Sequence, residues 1–72
     1  MIVPPEIRNH LAGLLFQLKR NYRRNHDSKN ATKAHVAMVS MRAGRPNDGV
    51  DMLVEGMNLG KGTKKWLKSY KF

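Results

Sequence analysis

Gly60-Lys61-Gly62-Thr63 sets one cation and one hydroxyl among glycines, the residue types with which a loop cradles phosphate. A nucleotide-binding loop of that kind needs Gly, four residues, then Gly-Lys-Ser/Thr, placed between a buried strand and a helix. Here "GMNLGKGT" leaves three residues between Gly56 and Gly60, and Gly62 separates Lys61 from Thr63. The residues ahead of Gly60 repeat with a helical period, and no acidic residue follows to hold magnesium. The spacing points to a turn before a short basic helix, not to an enzyme's nucleotide cradle.

A helix is expected to end there and another to begin, and Gly56, Leu59 and Gly60 suit the close crossing of a helix-turn-helix. In that frame the last helix presents Lys61, Thr63, Lys64, Lys65, Lys68 and Lys71 to nucleic acid. Lysines and the N–H groups of a first helical turn suit phosphate but read base sequence poorly. Glu55 and Lys61 depart from the frame, since apolar residues are usual on either side of the turn. The plainer alternative is a helical hairpin with a solvated lysine face.

Lys19, Arg20, Arg23 and Arg24 form a second cationic cluster, at the end of a leucine-rich segment. Like charges at that density weaken a helix unless a polyanion compensates. Phe16 stands beside them, about 150° from the centre of the leucine stripe at helical spacing. It is either a stacking residue in a basic nucleic-acid surface or, with Ala12, a widening of the core or a contact between two copies of the chain. Lys29, Lys33, Arg42 and Arg45 offer further phosphate contacts from loops and turns.

Composition agrees with an anionic partner. The formal charge of +9 on 72 residues attracts polyanions at long range and repels itself in the compact state. Nucleic acid is the expected partner, DNA ahead of RNA. No apolar run approaches the ~20 residues of a membrane span, and the opening "MIVPPEIRNH" lacks the basic-then-apolar order of a secretory signal. The expected location is the cytoplasm or the nucleoid. Without cysteine there is neither a disulfide nor a thiolate metal site. His10, His26 and His35 show no ligand-like pairing, so no metal and no cofactor is expected. A chain of this size builds a thin core, which leaves self-association, as a homodimer, as the route to extra stability.

Four segments must position these groups. The first helix should start at Pro4 or Pro5, where a missing N–H costs nothing, and run to Arg24. Ile7, Leu11, Leu14, Leu15, Leu18 and Tyr22 make its apolar stripe. "NHDSKN" reads as a loop. The second segment, "NATKAHVAMVSMRAG", is a helix capped by Asn30 or Thr32 and ended by Gly44, although "HVAMVSM" would also pass as a strand. Val36, Val39 and Ala43 lie on one side of that helix and Ala34, Ala37, Met38 and Met41 on the other, which suggests a central, well-buried element. A third helix follows "GRPNDG", with Asp48 as cap and Asp51 completing a capping box. Its stripe is Val50, Leu53, Val54 and Met57, and Gly60 is the left-handed residue expected to end it. The fourth helix, capped by Thr63, carries Trp66, Leu67 and Tyr70 on one face, with Trp66 expected to dock it.

The expected architecture is therefore all-α: a compact bundle of three to four short helices in one domain, 1–72, the last two helix-turn-helix-like. Asp48, Asp51 and Glu55 share a surface stripe rather than a cleft, and His35 reads as a satisfied, partly buried histidine; catalysis is not expected. The expected function is nucleic-acid binding, in a regulatory setting among others, through the first and last helices. The rival from another class is a small adaptor or inhibitor that docks on a protein through Phe16, the methionines and the acidic stripe.

Overall fold

The computed structural model describes residues 3–71 as four helices with no strand among them: α1 (Pro5–Arg24), α2 (Ser28–Arg42), α3 (Asn47–Gly56) and α4 (Lys61–Lys68). Pro5 opens α1, and the Arg8 amide makes its first bond, to the Pro4 carbonyl at 2.9 Å. Leu11, Leu15 and Leu18 are buried, with Ile7, Leu14 and Tyr22 packed against the core, as the stripe predicted, and Ala12 is buried beside them.

The corner after α1 is tighter than a loop. His26 takes a left-handed conformation (φ 57°). Its amide reaches back to the Arg23 carbonyl at 3.1 Å, and the Asp27 amide reaches Tyr22 at 2.9 Å. That pair of bonds is the Schellman closure of a helix end, with histidine where glycine is usual. Asp27 then caps α2 at once: Oδ1 accepts from the Asn30 amide at 3.2 Å and Oδ2 from the Asn30 side chain at 2.7 Å. Neither Asn30 nor Thr32 is the cap. Both lie within α2, and Asn30 donates to the residue that is.

α2 buries Ala31, Ala34, Ala37, Met38 and Met41. Its other apolar side is open, with Val36 54% and Val39 51% exposed, so the expectation of burial on two sides fails. α1 and α3 are the two helices that pack on α2, and no other described helix covers the third face. Gly44 (φ 86°) ends α2 as expected, with the Arg45 amide bonded to the Ser40 carbonyl at 2.8 Å.

α3 begins one residue before the expected Asp48 cap. Pro46 occupies the cap position without a side-chain bond, and Asp48 sits in the first turn, where a carboxylate favours the dipole. Two glycines set how closely α3 lies on the α1–α2 pair. A Cβ on Gly49 would fall 2.7 Å from Met41 Cε and 3.0 Å from Leu15 Cδ1; one on Gly56 would fall 2.9 Å from Tyr22 Oη and 3.0 Å from Leu18 Cδ2. The order of these contacts makes α3 run in the same sense as α1.

Gly56, not Gly60, is the last residue of α3. Met57 turns extended (φ −115°, ψ 145°), and Gly60 is extended too (φ −68°, ψ 159°), serving as the residue before α4 rather than as a left-handed stop. Thr63 is accordingly in the first turn of α4 and not its cap, and the helix stops at Lys68, short of the terminus. Eight residues cannot hold a helix in water alone. Leu67 and Tyr70 supply the anchorage, at 1% and 7% exposure, while Trp66 is 43% exposed and meets Tyr70 edge to face at 5.3 Å. The expected docking by Trp66 thus falls to its neighbour Leu67.

Gly13 lies mid-helix with open space around its Cβ position. Gly13→Ala is expected to raise stability by about 0.5–1 kcal/mol through helix propensity, whereas Gly49→Ala should lower it by about 1–3 kcal/mol through overpacking; urea denaturation checks both. Leu67→Ala should cost about 2–5 kcal/mol and Trp66→Ala about 1 kcal/mol or less, measured the same way.

Candidate nucleic-acid interface

The residues predicted to bind polyanions fall into two groups on different helices. Lys19, Arg20, Arg23 and Arg24 lie on the last turns of α1. Lys61, Thr63, Lys64, Lys65 and Lys68 lie on α4, and Lys71 just beyond it. The backbone of α4 packs on α3 and makes no close approach to α1 or α2. Lys71 is withdrawn further, since its ammonium sits 2.6 Å from Asp51 Oδ1. The acidic stripe does, at this one point, balance a lysine from the end of the chain.

At the α1–α2 corner the charges do converge. Lys19 is half-buried, and Arg20, Arg23, Arg24, Lys29 and Lys33 are exposed. Among the described residues none of these cations has a carboxylate within ion-pair distance. Asp27 is the one acid in the stretch from Lys19 to Lys33, and both of its oxygens are engaged by Asn30. Arg42 and Arg45 lie at the opposite end of the hairpin, where the Arg8 guanidinium also reaches Gly44.

Phe16 is exposed, at 45%, with the Lys19 ammonium 5.9 Å from the centre of its ring. Ala12 is fully buried, so the two do not widen the core together. His35 is also at the surface, against the expectation of partial burial. Its Nδ1 accepts from Lys19 Nζ at 3.2 Å. Between α1 and α2 lies a cleft of about 250 Å³ lined by Lys19, Arg23, Ser28, Ala31, Thr32 and His35. Sequence reasoning passed over Ser28, Thr32 and His35 as members of this site. The available signal was symmetry: Lys19 and His35 stand equally far on either side of Asp27, as partners across a hairpin must.

The adaptor surface is partly consumed by the fold. Met38 and Met41 are buried and Met52 and Met57 half-buried, while Met1 lies outside the described residues. Asp48, Asp51 and Glu55 do line a groove of about 410 Å³ with Val36, Ala37, Met52, Thr32 and Lys33. Among the described residues no three His, Asp or Glu side chains gather closely enough to hold a metal ion, and no helix is long and apolar enough to cross a membrane. Comparison with models of protein families, with curated proteins and with solved structures returns no match to this chain.

Asp27→Ala is expected to cost about 1 kcal/mol by uncapping α2, and Asp27→Asn only a few tenths, because the amide oxygen still caps; thermal unfolding of the two variants checks this.

Proposed function

We propose that this protein is a non-catalytic nucleic-acid-binding protein whose principal phosphate contacts come from the end of α1 and the start of α2. One observation carries the proposal: Lys19, Arg20, Arg23, Arg24 and Lys29 lie at one corner where Asp27 is the one acid, and among the described residues none of the five is ion-paired. In an ordinary solvated surface, cations this dense are offset by nearby acids. Here much of the self-repulsion is left in place, and it is relieved when phosphates bind at the corner and release their condensed counterions to the solvent. The lysines of α4 provide a second, separate contact. A nucleic-acid partner implies a place in the cytoplasm or the nucleoid.

Duplex DNA was favoured because Gly56 and Gly60 suited a helix-turn-helix. Gly56 instead admits Tyr22 and Leu18 of α1, and Gly60 is extended. The preference for a duplex loses those two supports, and the proposal is of nucleic acid without that restriction. The adaptor reading keeps one observation in its favour, the apolar floor of Val36, Ala37 and Met52 beneath Asp48, Asp51 and Glu55. Its occupant would be a cationic amphipathic segment of a partner.

Fluorescence anisotropy with duplex DNA, single-stranded DNA and RNA, between 50 and 200 mM salt, tests the proposal. Six phosphate contacts would weaken binding roughly a thousandfold over that range. Replacing Lys19, Arg20, Arg23 and Arg24 by Gln should lower the log–log salt slope by about 3 to 4 units on a duplex. Replacing Lys64, Lys65 and Lys68 should lower it less. Absence of binding at 50 mM salt would overturn the proposal and leave the adaptor reading standing.

A further inference from the structure

The cleft between α1 and α2 differs from the rest of the basic surface: it is concave, and its polar wall consists of donors. Lys19 and Arg23 stand one turn apart on α1, facing Ser28, Thr32 and His35 on α2. An ammonium has only protons to offer, so the 3.2 Å contact makes His35 Nδ1 the acceptor and puts the ring proton of the neutral imidazole on Nε2. Thr32 spends its hydroxyl proton on the Ser28 carbonyl at 3.0 Å. What remains is an ammonium, a guanidinium, an imidazole N–H and the Ser28 hydroxyl around about 250 Å³, with no carboxylate in the lining. Such a set complements an oxyanion through charge-assisted hydrogen bonds, and the paired nitrogens of Arg23 suit a phosphate in particular.

Phe16 adds the second half. Lys19 serves both sites, one way toward His35 and the other over the Phe16 ring at 5.9 Å. The ring is 45% exposed and so has a face open to a stacking partner. A nucleotide carries its base one sugar away from its phosphate. The structure offers an anion cleft with an aromatic ring one side chain away.

We propose that the Lys19–Arg23–His35 cleft holds one phosphate of a single-stranded nucleic acid while Phe16 stacks on the adjoining base. The proposal rests on the nucleic-acid reading above and narrows it. In a duplex the bases are already stacked on one another, so the ring finds no free face; in a single strand it does. Preference for single strands follows.

The test has two arms. In the first, ring-proton signals of the wild-type protein are followed by NMR as inorganic phosphate, adenosine and adenosine 5′-monophosphate are added separately, with His35→Gln assigning the His35 signals. Adenosine monophosphate should shift His35 saturably and perturb Phe16, inorganic phosphate should shift His35 at higher concentration, and adenosine alone should leave His35 unmoved. In the second, anisotropy compares single-stranded and duplex DNA. Phe16→Leu should weaken single-strand binding roughly ten- to a hundredfold with the salt slope unchanged, whereas Lys19→Gln with Arg23→Gln should lower the slope. Equal affinity for both polymers, with His35 silent toward adenosine monophosphate, overturns the cleft and leaves the broader phosphate-binding proposal intact. No binding of either polymer at 50 mM salt overturns both.

Discussion

Asp27 sits one residue beyond the left-handed turn at His26 and caps α2 with its carboxylate. That short corner makes α2 fold straight back along α1, and the juxtaposition of Lys19 with His35, the buried faces of both helices and the nearness of Lys29 to the cations of α1 all depend on it. A longer or looser connection would let α2 slide along its partner. The leucines of α1 and the small alanines of α2 keep the same register only while the corner holds. The one acid of this region is thus part of the architecture, a single negative charge among several cations.

Electrostatics and packing work against each other here. A chain of this size has little stability to spare, and a cluster of uncompensated cations reduces it further. The core answers with close approach rather than with bulk. Gly49 and Gly56 let α3 settle within van der Waals reach of Leu15, Met41, Leu18 and Tyr22. Leu67 and Tyr70 then fasten a helix too short to exist alone. Asp48, Asp51 and Glu55 stand on α3, in a groove they share with Thr32 and Lys33 of α2, and Asp51 pairs at the surface with Lys71.

The consequence for function is a division of labour among the cations. Those of α4 ride on an eight-residue element attached through α3, so their position is only as firm as that attachment. Those at the corner ride on the two longest helices and share a concave wall with donors from both. A site that must orient one phosphate belongs on the rigid pair; a surface that merely attracts a polymer can be carried by the weaker element.

Much was legible without coordinates. Helical period, the prolines at the start of α1, Gly44 at the end of α2, the leucine stripe and the sign of the net charge are local or global properties, and both kinds are written directly in residue order. The four-helix architecture followed from them. Partner choice was not legible. Gly56 suits a close crossing whichever helix supplies the crossing, and only the folded chain shows that Tyr22 and Leu18 do. Val36 and Ala37 are equally apolar in a helical wheel, and only the number of available neighbours leaves one outside and the other in. Trp66 and Leu67 are neighbours on α4, and only the packing shows that Leu67 faces the core while Trp66 stays at the surface. Likewise the acids and bases are countable from composition, but whether they meet is settled by the path of the chain. Lys19 and His35 are sixteen residues apart in sequence yet in hydrogen-bond contact at 3.2 Å, because a hairpin converts sequence separation into proximity and no local pattern records that conversion.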